Sequence, residues 1–159
     1  MPFRRRHAAI VDGRHAELLR AGIKTIETRI YRHKRLPYGR IRVGDLIYFK
    51  LTGGEVFGST KVVRIRQFEN LTPAHVRRIR QRYNHAVCAE PAYWAAKRSA
   101  RYAVLIWLQE LRRTRTAPRI PRQYGNGWLI LRSTRPPVGE RSTTLSQRPS
   151  RPESPTARR

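Results

Sequence analysis

Gly22-Ile23-Lys24-Thr25-Ile26-Glu27-Thr28-Arg29 puts three ionisable side chains within six residues, in a segment otherwise built for a β-strand. Side chains alternate faces along a strand, so Glu27 and Arg29 share one face and Lys24 points to the other unless the segment bends at its start. Gly22 permits that bend. A lysine, a glutamate and an arginine gathered there can line a cleft that handles a phosphate, a base edge or an amide. The same spacing also serves a solvated edge strand with a local ion pair.

The flanking sequence gives this segment a setting. His7–Val11 reads as a first strand. Asp12 caps a helix over Arg14–Ala21 with Ala16, Leu18 and Leu19 turned inward, and Gly22 ends it. The motif strand runs over Ile23–Ile30 and leads into a basic loop, Tyr31–Val43. Gly44-Asp45 turns the chain into a strand over Leu46–Leu51, and Thr52-Gly53-Gly54 forms a hairpin turn. In the next strand, Glu55–Arg66, Val63 and Ile65 are expected to face inward and Arg64 and Arg66 outward. Gly58 marks a bulge or a corner. Thr72 and Pro73 open a helix whose buried stripe is Val76, Ile79 and Tyr83. A short helix over Pro91–Arg98, a strand over Tyr102–Leu111, a proline- and arginine-rich loop and a last strand over Trp128–Arg132 complete the domain. Residues 1–6 are expected to form a flexible basic arm, and 7–132 one domain. Residues 133–159, almost without apolar side chains, are expected to be disordered. Propensity alone gives a mixed α/β chain with one sheet.

The formal net charge is +25, of which residues 1–132 carry +21, so the excess belongs to the folded part. A domain this basic repels itself and attracts polyanions, nucleic acid first among them. A genomic bias towards arginine, which greatly outnumbers lysine here, would give the same excess without any partner. Cys88 is the only cysteine, which excludes an internal disulfide and a cysteine-rich metal site. It reads as a small buried residue in Ala86-Val87-Cys88-Ala89. The scattered histidines show no ligand spacing, so no metal is expected, and no cofactor either. No apolar run reaches a membrane span, and none follows the N-terminal arginines as a signal segment would. A cytoplasmic location and no membrane partner are expected.

Lys24, at the mouth of a cleft, can hold a phosphate or, if desolvated, act as a base. Glu27 can pair with a neighbouring cation or accept from an exocyclic amine of a base. Arg29 can contact phosphate or lock Glu27. Among the aromatic residues, Tyr31, Tyr38 and Trp128 are the stacking candidates, whereas Trp94 and Trp107 are expected inside. Stacking on a base contributes roughly 1–3 kcal/mol per contact. Arg32, Lys34, Arg35 and Arg40 in the loop, with Arg77 and Arg78 on the helix, form surfaces suited to a phosphate backbone.

The motif, together with Gly44-Asp45-Leu46-Ile47-Tyr48-Phe49, Phe68-Glu69-Asn70-Leu71-Thr72-Pro73, Tyr93-Trp94-Ala95-Ala96-Lys97 and Gly125-Asn126-Gly127-Trp128, resembles the ASCH family of the PUA-like superfamily over roughly residues 7–131. The resemblance implies an α+β fold: a small, partly open β-barrel with inserted helices. It implies RNA, more than DNA, bound in a cleft beside the motif strand, with Lys24, Thr25, Glu27 and Arg29 at the matching positions. Some members are linked to transcription or RNA processing. Others are hydrolases, one group acting on N4-acetylcytidine and another credited with ribonuclease activity. A hydrolase here would use Lys24 and Glu27, with Glu69 as a further carboxylate. The amidohydrolase group has a threonine where this chain has Glu27, so that threonine's role does not carry over.

Overall fold

The computed structural model describes residues 4–122, 125 and 127–132. Its elements are β1 (Arg6–Val11), α1 (Gly13–Arg20), β2 (Ile26–Tyr31), β3 (Leu46–Leu51), β4 (Val56–Phe68), α2 (Pro73–Val87), α3 (Pro91–Ala96), β5 (Tyr102–Leu108) and β6 (Trp128–Leu131). They form one six-stranded sheet in the order β2-β5-β4-β3-β1-β6, in which β1 and β3 run parallel and the other pairs antiparallel.

Local chemistry sets most of these boundaries. The Asp12 side chain accepts from the His15 N–H at the start of α1. Thr72 accepts from the His75 N–H, and His75 Nδ1 accepts from the Thr72 N–H, a reciprocal cap ahead of Pro73. Gly22 and Gly53 both take positive φ, as the turns after α1 and between β3 and β4 require. Gly58 pairs with Phe49 beside the bulge expected there, in which Phe57 is the extra residue.

β5 explains the two-layered core. Alternate residues of its apolar run face opposite sides. Ala103 and Leu105 join Ile26, Ile30, Val76, Ile79 and Trp94 beneath α2 and α3. Val104 and Ile106 join Phe49, Ile47, Val62, Leu19 and Trp128 beneath α1. A strand buried on both faces loses the apolar–polar alternation, which is why its sequence reads as a continuous apolar run.

Five expectations are corrected. The sheet does not close into a barrel: β2 and β6 are its two ends. β6 has four residues and pairs only with Arg6–Ala9, so the last turn of β1 has no β6 partner. There the Ile10 N–H donates to the Gly127 carbonyl at 2.9 Å, and the Arg29 side chain reaches across from β2, its Nη2 donating to the Ile10 carbonyl at 3.1 Å. Val63 points outward rather than inward. Val62 pairs with Leu108 and Arg64 with Trp107, so Val63 is the extra residue of a second bulge and Val62 takes the core position. Arg5 and Arg6 are not part of a free arm. The Arg5 N–H donates to Asp45, its guanidinium to the Arg40 carbonyl, and Arg6 opens β1. Cys88 is half-buried at the C-cap of α2 with φ 60°, not packed in the core. Trp94 is inside as expected, while Trp107 is half-buried with the Arg64 guanidinium 4.6 Å from its ring centre. The expected disorder of residues 133–159 lies outside the described residues. No helix among the described residues is long and apolar enough to cross a membrane.

Candidate functional site

A cavity of about 280 Å³ lies between β2 and the junction of β1 with α1. Ile10, Val11, Asp12 and His15 line one side, and Lys24 with Glu27–Tyr31 the other. Val87, Ala89, Tyr93 and Lys97 from the α2–α3 region complete it.

Glu27 and Arg29 lie on the same face of β2, as a period of two demands, and the Arg29 Nε donates to Glu27 Oε1 at 2.9 Å. Lys24 precedes β2 and, after the turn at Gly22, comes round to place Nζ 3.4 Å from Glu27 Oε2. The three motif charges therefore converge. Lys24 and Glu27 are 5% and 4% exposed, so the cluster is largely withdrawn from water. Lys24 Nζ also donates to the Val87 carbonyl at 2.7 Å and the Ile26 carbonyl at 3.1 Å. An ammonium has three protons, and here each has an acceptor.

Burial pushes the Glu27 carboxyl up, but Lys24 and then Arg29 push it down by more, leaving it below its ordinary value of 4.5. Burial opposes the charge on Arg29 as well, and Glu27 outweighs it, so the guanidinium is held above its ordinary range. The Tyr93 phenol is pushed up chiefly by burial and stays a neutral donor. Lys97 is lowered by burial first and then by the charges of Arg29 and Arg35. The resulting site is a fixed carboxylate between two fixed cations, with a phenol and a further ammonium beside them.

Other predicted residues are placed differently. Tyr31 is half-buried and lines the cavity, with Arg35 and Lys97 at 5.8 and 5.7 Å from its ring centre. Trp128 is 2% exposed and cannot stack on a ligand. Its Nε1–H donates to His7 Nδ1, and the Arg29 guanidinium lies 5.3 Å from its ring centre. Trp128 supports Arg29 from below. Tyr38 packs edge-on against Tyr102 outside the cavity. Thr25 is exposed and is not among the cavity-lining residues. Arg32, Lys34, Arg35, Arg40, Arg77 and Arg78 are all exposed. Glu69 is corrected as a companion of Lys24. Phe68 pairs with Ala103, which faces Ile30 at the far end of β2, and Glu69 lines a separate cavity with Arg66, Arg78 and Arg82.

His15, Thr28, Tyr93 and Lys97 were not among the predicted site residues. Tyr93 and Lys97 are four residues apart along α3 and its C-cap, a spacing that puts two side chains on one helical face.

Fold and site thus define a small α+β domain whose open sheet encloses a charged cavity against a strongly basic surface. The family model for the ASCH domain matches residues 11–112, and the chain belongs to that family. The structure is similar to the ASCH protein of Zymomonas mobilis, at TM-score 0.60 and 18% identity over 80% of this chain and 87% of that one. Two mutant forms of that protein give similar results. A tyrosine-to-phenylalanine mutant matches at TM-score 0.62 and 18% identity, covering 81% and 91% of the two chains. A serine-to-alanine mutant matches at 0.62 and 19%, covering 83% and 92%. At these identities the likeness is one of fold. A comparison with curated proteins finds no match.

Proposed function

We propose that this protein binds RNA and reads one unpaired nucleotide in the cavity beside β2, without turning it over. The observation that carries the reading is the ionised Glu27 carboxylate, fixed at the cavity wall between Lys24 and Arg29. A carboxylate has about four acceptor sites, so Glu27 keeps capacity to accept from an exocyclic amine of a base. A base reaches an enclosed cavity only when it is out of a stack, which suits single-stranded segments. The exposed arginines of the β2–β3 loop and of α2 would hold the flanking phosphates, and the family membership favours RNA over DNA.

The hydrolase alternative is less well supported. A general base works best with a pKa near the operating pH. Glu27 is held below even its ordinary range, and all three protons of Lys24 already have acceptors. The cluster is built to hold charge rather than to move protons.

Fluorescence anisotropy with short labelled RNA and DNA strands across a salt series tests the proposal. Log affinity should fall with log salt. A slope of about −3 would correspond to roughly four neutralised phosphates on a single strand. Glu27→Gln should weaken RNA binding by roughly 1–3 kcal/mol, the scale of one base-edge contact. A flat salt response would remove the proposal. Product from N4-acetylcytidine or RNA that Glu27→Gln abolishes would reverse the order of the two readings.

A further inference from the structure

We propose that Lys97 and Arg35 form a phosphate seat at the mouth of the cavity, so that the ligand is a nucleoside phosphate and not a free nucleoside. The inference rests on the nucleotide reading above and adds the charge the ligand must carry.

The cations around the cavity differ in how they are compensated. Lys24 and Arg29 share Glu27, and both also donate to backbone carbonyls. The His15 ring lies 3.3 Å from Asp12. Lys97 has no acidic partner and no hydrogen-bond acceptor among the described residues. Its Nζ rests over aromatic rings instead, 5.2 Å from the centre of Tyr93 and 5.7 Å from that of Tyr31. Arg35 approaches the same Tyr31 ring at 5.8 Å and also lacks an acidic partner among the described residues. Both uncompensated cations thus lie near the Tyr31 ring; half-buried Lys97 lines the cavity with Tyr31, and exposed Arg35 stands outside the lining.

Like charges held together in a partly desolvated place repel, and an anion that accepts from both relieves the repulsion. The gradient of exposure gives the seat a direction. Glu27 and Lys24 are buried in the interior, while Lys97 is half-exposed and Arg35 exposed. Lys24 and Arg29 are already paired with Glu27, so a phosphate is drawn to the uncompensated cations at the mouth, leaving the base to enter. A lysine at a helix C-terminus also favours the helix dipole, but α3 has only six residues and Lys97 follows its last one.

The experiment titrates the protein with the four ribonucleosides and their four 5′-monophosphates by calorimetry. At least one monophosphate should bind about tenfold or more tightly than its nucleoside. Lys97→Gln should remove most of that advantage. Arg35→Gln, at an exposed position that leaves folding intact, should remove part of it. Equal affinity of nucleoside and nucleotide, or an advantage that survives both substitutions, would overturn the phosphate seat while the nucleotide reading stands. Failure of all eight compounds to bind would overturn the seat. If Glu27→Gln also left RNA affinity unchanged, the nucleotide reading would fall with it.

Discussion

Lys24 shows how burial changes the meaning of a residue. As a free lysine it would be a phosphate ligand or a base. In the fold it is a structural ammonium that ties the start of β2 to the end of α2 and neutralises Glu27. Removing one member of a buried, hydrogen-bonded ion pair typically costs about 3–5 kcal/mol. Lys24→Ala should therefore lower unfolding stability by roughly that amount in urea titrations, and a loss under about 1 kcal/mol would mean the cluster is not structurally coupled. The pH dependence follows from Glu27. Its folded-state pKa is depressed, so the stability it contributes is present above 4.5 and is lost as pH falls below that value through the folded pKa. Glu27→Gln should flatten the stability curve in that window, measured as the urea midpoint against pH.

At the scale of elements, two hydrogen-bonded junctions hold the cavity walls in place. Asn84 near the end of α2 accepts from the Ala89 N–H and the Trp94 Nε1–H, both at 3.0 Å, and donates to the Ala89 carbonyl. It fixes α3, and with it Tyr93 and Lys97, against α2. Asn84→Ala strands the Trp94 N–H and should cost at least about 1–3 kcal/mol, read by denaturant unfolding. The second junction is His7. The indole N–H of Trp128 can only donate, so His7 Nδ1 accepts and Nε2–H donates to Asp45 at 2.9 Å. This neutral tautomer links β1 to the turn before β3 and to β6. Burial lowers the His7 pKa from 6.5, against the raising influence of Asp45. The unfolded chain then binds the extra proton first, so stability falls as pH drops from 6.5 towards the folded value. His7→Gln should reduce the stability loss between about pH 7.5 and 5.5. An unchanged slope would show that His7 does not titrate across folding.

For the whole molecule, charge acts in opposite directions on folding and on binding. A net charge of +25 repels itself in the folded state, and salt screens that repulsion. Raising sodium chloride from about 20 to 300 mM should raise the melting temperature of the free protein and weaken its RNA complex. A melting temperature that falls with salt would point to exposed ion pairs as the larger contribution.

Much of this architecture is written locally. Alternation put Glu27 and Arg29 on one face. Thr72-Pro73 and Asp12 set helix starts, and Gly22 supplied the turn that returns Lys24 to Glu27. The apolar run of β5 marked a buried strand, though not that its alternate residues would divide between two cores. Tertiary structure alone decided which charges are spent and which are free. Val87, the acceptor that immobilises Lys24, lies 63 residues away, and Trp128, buried against His7, lies 121 residues from it. Glu69, expected beside Lys24, lines a separate cavity for the same reason, and Lys97, with no role expected from the sequence, lines this one. Period and propensity act over a turn or two of chain, whereas the environment that gives an ionisable group its role is assembled by packing between distant segments.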